Sequence, residues 1–306
     1  ATGLSWGECV GEVVPQSDSC ATLADEDCNG SSNTCLPSQD CNQVTGVCQN
    51  PCDPNVLGNG YVGCEYYPTV TANEVGSQYH FAVAISNTQS VAVNYTITRG
   101  TTTIASGKVT ANSVAVVQLP WVGELKAPAA SLRSTNAAGN GAYHVVADRP
   151  VTVYQYSPIE FTLTGSDTAA SNDASLLLPV NAWTGNYVVA ARNTWGTYAG
   201  FYAVTASQDG TVVTLAPSAT GQIVRAGGGV ASNGTGTVTL NKGDVLQVLS
   251  GSGGGSPDVA DVTGTFVTAN KPVQVIGGHE CTDVPYNNTY CDHLEESIFP
   301  IETLSK

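Results

Sequence analysis

From Glu65 onward, apolar and polar residues alternate with a period of two. Val91, Val93, Tyr95 and Ile97 alternate with Ala92, Asn94, Thr96 and Thr98, and Phe81, Val83 and Ile85 follow the same rhythm. Ser113 to Leu119 and Val151 to Tyr156 are runs rich in β-branched or aromatic residues. Because successive side chains of a strand point to opposite faces, this pattern predicts half-buried antiparallel strands separated by Gly, Asn and Ser turns. Pro150 and Pro272 open their runs, where a missing N–H is tolerated. No segment carries a capped helical periodicity. About seven short strands in roughly 115 residues predicts a β-sandwich.

The pattern occurs twice. Phe81-Ala82-Val83-Ala84-Ile85-Ser86 recurs as Tyr202-Ala203-Val204-Thr205-Ala206-Ser207, an offset of 121. Arg149-Pro150-Val151 recurs as Lys271-Pro272-Val273 at 122, and Leu178-Pro179-Val180 as Phe299-Pro300-Ile301 at 121. Self-similarity at a fixed period indicates tandem copies of one folding unit. In the second copy, strands are expected at 186–192, 201–206, 212–215, 238–240, 244–249, 264–268 and 273–276. Phe299 to Lys306 then reads as the opening strand of a third copy, free to complete the second sandwich or to reach a neighbour by strand addition through Phe299, Ile301 and Leu304.

The first 64 residues differ. Eight cysteines (Cys9, Cys20, Cys28, Cys35, Cys41, Cys48, Cys52 and Cys64) lie there among Asn, Asp, Gly and Pro, and Cys281 and Cys291 follow far downstream. Both groups are even, so each can pair internally, which implies an oxidising compartment. The expected organisation is all-β: a disulfide-stapled module at 1–64, sandwich repeats at 65–175 and 176–306, and the start of a third copy within the last. The chain begins at Ala1 and contains no Met, so a removed leader is expected before it.

Charged residues make up 11% of the chain, against about 25% in ordinary soluble domains. The formal net charge is −15, with no Lys or Arg before Arg99. Such a surface repels phosphate backbones and anionic membranes, which disfavours nucleic-acid partners. No run approaches the roughly 20 apolar residues of a membrane span, so membrane insertion is not expected.

The densest chemistry is His279-Glu280-Cys281, then, after nine intervening residues, Cys291-Asp292-His293. Two His and two Cys suit a tetrahedral zinc site, which makes His279, Cys281, Cys291 and His293 metal candidates. Zinc needs thiolates, and a disulfide closing this short loop is the simpler reading in an oxidising compartment. Glu280, Asp283, Asp292, Glu295 and Glu296, like Asp25-Glu26-Asp27 and Asp40 upstream, offer oxygens to calcium but lack a fixed ligand spacing. No other cofactor is expected. His80 and His144 fall within strand patterns and read as structural. Neither a Gly-x-Ser-x-Gly elbow nor a His-Glu-x-x-His motif occurs, and an enzyme is not expected. Trp121, Trp183, Trp195 and Tyr198 are the aromatics to test in a glycan- or protein-binding surface, with core packing as the competing reading.

Gly58-Asn59-Gly60-Tyr61-Val62-Gly63-Cys64-Glu65-Tyr66-Tyr67-Pro68-Thr69-Val70 resembles the opening of the IgGFc-binding protein N-terminal domain family. Gly277-Gly278-His279-Glu280-Cys281 and Cys291-Asp292-His293-Leu294-Glu295-Glu296 resemble its later signature, and the resemblance covers about residues 58–306. The cysteine-rich segment resembles those preceding this domain in secreted bacterial proteins. The resemblance implies a secreted or surface-anchored, adhesive or structural protein with no established catalytic residues, whose members continue past this point. The expected function is an extracellular structural or adhesive protein, with filament formation through strand edges as its finer form. A glycan- or protein-binding module is the alternative, and a metal-dependent hydrolase ranks last. Expected partners are further copies of itself, other extracellular proteins, or glycans.

Overall fold

The structure is a computed structural model describing residues 17–22, 24, 34–36, 39–161, 171–254, 259–285 and 290–304. The chain forms two compact units, 1–56 and 57–306.

In the first unit, Asp40–Cys41 (β1) and Cys48–Gln49 (β2) pair antiparallel. Asn42 Oδ1 closes the turn between them by accepting the Val44 and Thr45 N–H groups at 3.0 and 3.1 Å. Disulfides Cys20–Cys41 and Cys35–Cys48 flank it, with three of their sulfurs within 4.8 Å of one another. Among its described residues no large apolar side chain is buried, so cross-links take the place of a core. Cys52 and Cys64 are also disulfide-bonded. Cys9, Cys28 and the acidic run Asp25-Glu26-Asp27 lie outside the described residues.

The second unit is built from antiparallel strands. They are Gly63–Tyr66 (β3), Phe81–Asn87 (β4), Val93–Arg99 (β5), Thr102–Val109 (β6), Ser113–Leu119 (β7), Leu132–Ser134 (β8), Tyr143–Ser157 (β9) and Asp173–Leu176 (β10). Thr184–Val188 (β11), Gly200–Ala206 (β12), Thr211–Ala216 (β13), Gly236–Leu240 (β14), Val245–Leu249 (β15), Phe266–Thr282 (β16) and Asp292–Ser297 (β17) follow.

The two repeats match strand for strand except for β8, which has no counterpart in the second. In the first, the N-terminal half of β9 pairs with β3 and β5, and β5 with β6; its C-terminal half pairs with β4 and β10, and β4 with β7. In the second, β16 does the same with β11 and β13, then with β12 and β17, while β14 and β15 complete the two layers. Pro150 and Pro272 sit in β9 and β16 between the halves, at residues that form no pair in these ladders. Tyr66 Oη donates to Val151 O and Tyr187 Oη to Val273 O, each at 2.5 Å. These bonds tie the first strand of each repeat to the same point of its long strand.

Three expectations change. The runs at 264–268 and 273–276 are parts of one strand, β16. The run at 186–192 leaves the ladder after Val188, where Val189 N–H donates to Thr265 O at 2.9 Å. Residues 301–304, expected to open a third copy as a strand, form one helical turn behind Pro300, with Thr303 N–H on Pro300 O. Glu302 accepts from Thr184 Oγ1 and Asn186 Nδ2 at 2.8 and 2.7 Å, closing the turn onto β11 of its own repeat. Val180–Ala182 forms the equivalent turn after β10.

One core includes Phe81, Val83, Ile85, Val145 and Val153 of the first repeat; another includes Tyr202, Val204, Val213, Val248 and Val275 of the second. The opposite face of β12 and its neighbours, with Ala203, Val245 and Ile276, joins the first repeat's core. β12 is therefore buried on both sides along its whole length. β8, from the first repeat's sequence, adds antiparallel to the edge of β15.

Candidate functional site

The motif His279–Cys281 and Cys291–Glu296 forms the antiparallel pair β16 and β17, with a register shift between His279 and Thr282. The Cys281–Cys291 disulfide, with Cα atoms 5.1 Å apart, closes it. Both sulfurs are thus bonded to each other and neither is a thiolate. The histidines do not converge either. His279 pairs with Leu294 and so shares its face, whereas His293 stacks on Phe201 at 5.9 Å on the other. His279 is fully buried. Its Nδ1 accepts the Cys281 N–H at 3.0 Å and its Nε2 donates to Asn193 O at 3.1 Å. Burial pushes its pKa down to about 3, so the ring is neutral with its tautomer set by these bonds.

The other face of the hairpin meets the first repeat. Glu295, with a fully buried side chain, accepts Thr71 Oγ1 at 2.8 Å and Gln155 Nε2 at 3.1 Å; His293 Nε2 lies 3.5 Å from it. An extended stretch at 67–73 runs along this seam outside any strand, and glutamine side chains take up its backbone groups. Gln155 accepts the Thr69 N–H and donates to Thr69 O at 2.9 and 3.0 Å. Gln247 accepts the Ala72 N–H at 2.9 Å and donates to Leu125 O at 2.8 Å, and Gln274 donates to Tyr67 O at 2.9 Å. Buried backbone amides need such partners, and a seam assembled from both repeats supplies them. Glu280 shares the buried surroundings, accepts the Ala199 N–H at 2.7 Å and has its pKa raised by burial. Gly278 lacks a Cβ because one would stand 1.9 Å from Leu294 O and 2.7 Å from the Phe201 ring. His293 and Glu295, metal-ligand candidates by sequence, are seam residues; their seam partners Thr71 and Gln155, like Gln247 and Gln274, carry no local motif.

Among the described residues, concavities of differing character open on the second unit. A polar cleft of about 630 Å³ lies between the repeats, lined by His144, Arg133, Asn136, Asp209, Asn241 and Lys242 among others. His144 Nε2 is 2.8 Å and Lys242 Nζ 3.7 Å from Glu65, whose pKa is lowered chiefly by the His144 hydrogen bond. His144 also stacks on Tyr67 at 4.6 Å. A smaller apolar groove of about 400 Å³ runs between Tyr61, Leu176, Phe299 and Leu304. Phe299 and Leu304 are exposed there and Ile301 is half-buried.

Trp183 is buried and donates to Leu178 O at 2.8 Å. Trp121 is partly buried and donates to Tyr79 O at 2.6 Å. Trp195 and Tyr198 stack on each other at 5.9 Å and remain half-exposed. His80 pairs with Glu160 at 2.6 Å just before β4. Along β17 the alternation puts Glu295 inside and Asp292 and Glu296 outside, and Asp283 is buried. The five carboxylates therefore do not converge as a set.

The buried hairpin belongs to the segment that matches a known family. Residues 173–306 match the IgGFc binding protein family. The match runs from β10 to the end of the chain and contains the whole β16–β17 hairpin. It is shorter than the resemblance read from residue 58, and the first repeat is tied to it by topology. No curated protein and no solved structure matches the chain. The disulfides of both units point to an extracellular protein, and no helix among the described residues is long and apolar enough to cross a membrane.

Proposed function

We propose that residues 57–306 form a protein-recognition module of an extracellular structural or adhesive protein, acting by surface contact rather than by catalysis. The match of residues 173–306 to the IgGFc binding protein family carries the reading. The burial of that segment's reactive groups supports it: His279, Glu280, His293 and Glu295 are buried, and the hydrogen bonds they make join strands and repeats. A rigid seam of this kind presents surfaces at fixed angles, which favours recognition. The polar cleft, where Arg133 and Lys242 stand beside Asp209 and Asp244, is the surface proposed for a polar protein contact of mixed charge. The finer reading adds self-association through strand edges, giving a filament or adhesive layer.

The test is biolayer interferometry of the intact chain against immunoglobulin Fc and a panel of purified extracellular proteins, beside a glycan array. Saturable binding to a protein, weakened by Arg133→Glu with Lys242→Glu, is expected. Binding to glycans alone, or turnover of a substrate, would overturn the reading.

A further inference from the structure

The duplicated fold contains an internal comparison. In the second repeat, the layer β17-β16-β12-β15 turns one face to its own core, with Tyr202, Val204 and Val275 inward. Its other face carries Ala203, Thr205, Val245, Gln247, Gln274 and Ile276, and the first repeat covers it. Ala203, Val245 and Ile276 join the first core, Thr205 Oγ1 lies 2.9 Å from Thr69 Oγ1, and Gln247 and Gln274 bond to backbone of the first repeat. The covering repeat also lays β8 along the edge of β15.

The equivalent layer of the first repeat is β10-β9-β4-β7. Phe81, Val83 and Val153 point to its core. The register places Val116, Ala84, Tyr154 and Leu176 in one row across the opposite face, with Val114 and Ser86 in the next. Parity along β4 and β12 makes this the counterpart of the covered face, since Ala82 and Ala84 correspond to Ala203 and Thr205. Here the larger side chains stand open among the described residues: Val114, Val116 and Tyr154 are 57%, 56% and 38% exposed, while the small Ala82 and Ala84 between them are buried. Among the described residues no strand pairs with the outer edge of β7. β7 contains no charge and no Pro, the devices that normally protect an open edge. The two faces share Ala, Val, Thr or Ser and Gln; here Gln118, paired with Ala82, donates to Glu160 at 3.2 Å at one end of the face.

We infer that this face of the first repeat is covered by the second repeat of another copy of this chain, seated as the first repeat seats on the second within one chain. The covering segment within the chain, 67–72, has its counterpart at 188–193. Tyr66 and Tyr187 make equivalent bonds, and Pro68 O accepts from Tyr143 N as Val189 O accepts from Gly264 N, both at 2.9 Å. Thr69, which touches the covered face, thus corresponds to Ala190, whose side chain is exposed. The contact joins two different surfaces, so it is heterologous and propagates into an open chain of copies. It rests on the structural half of the function proposed above and does not require the foreign-protein contact.

The experiment is sedimentation velocity of the intact chain from low micromolar to submillimolar concentration, with Val116→Glu blocking one surface and Ala190→Lys the other. The wild type is expected to form a growing series of species. Each variant is expected to weaken association at least about tenfold, equivalent to about 1.4 kcal/mol, with an unchanged unfolding midpoint because both sites are exposed. An equimolar mixture of the variants retains one intact surface of each kind and is expected to form a dimer that grows no further. A wild type monomeric throughout overturns the inference, as do a Val116→Glu chain that associates like wild type and a mixture that stays monomeric. A monomer whose outward-facing β7 amides are protected from hydrogen exchange would also overturn it, because the face would then already be covered within one chain. Retention of protein binding by Val116→Glu separates this result from the interferometry test.

Discussion

His279 makes acid a specific probe of the β16–β17 hairpin. In the native chain its ring is buried and neutral, with Nδ1 accepting from Cys281 and Nε2 donating to Asn193, and its pKa is near 3 against an ordinary 6.5. Between those values the unfolded chain binds a proton that the native chain refuses, so stability falls as pH is lowered, approaching about 1.4 kcal/mol per pH unit. Integrated with these two values, the loss is about 2 kcal/mol from pH 7 to pH 5 and about 3 kcal/mol to pH 4. Other groups contribute as well. Glu280, raised by burial, stabilises below its unfolded pKa and loses that contribution as pH rises through its folded value. Glu65, lowered by His144, stabilises above its unfolded pKa and loses that contribution as pH falls through its folded value. The variant His279→Gln isolates the histidine, because glutamine keeps a donor and an acceptor but does not titrate, and the other groups cancel in the difference. The assay is urea unfolding followed by tryptophan fluorescence, with disulfides intact, at half-unit steps from pH 7 to 4. The wild-type free energy should fall relative to His279→Gln by the amounts above. Parallel profiles would refute a buried neutral histidine.

Three further outcomes follow from the geometry. Thr71→Val removes the hydroxyl donor to Glu295 and should cost about 1–3 kcal/mol in the same urea assay; a change within error would show that the seam bond is made equally well without it. Gly278→Ala sets a Cβ 1.9 Å from Leu294 O, and a loss of about 3 kcal/mol or more, seen as a lowered unfolding midpoint, is expected. Tyr66→Phe and Tyr187→Phe delete equivalent bonds to Val151 O and Val273 O; each should cost about 1 kcal/mol, and strongly unequal losses would argue against equivalent roles in the two repeats.

The sequence by itself determined the class of each element and the duplication, because both are local properties. Alternation with period two depends only on which residues stand next to one another, and a copied unit keeps its spacing. The prolines of β9 and β16 and the cysteine pair at 281 and 291 were legible for the same reason: a missing N–H and a short closable loop are properties of a few neighbouring residues. The tertiary structure decided which sides of the strands are used. β12 and β4 have nearly the same pattern and both are largely buried, yet the second repeat's layer is covered on its outer face while the neighbours of β4 leave Val116 and Tyr154 exposed. Nothing within either strand records that difference, since it depends on whether a second repeat lies against it. The same holds for His293 and Glu295, which looked like metal ligands in sequence. Their partners Thr71 and Gln155 stand more than a hundred residues away, and only the packing of one repeat on the other brings them within hydrogen-bond distance.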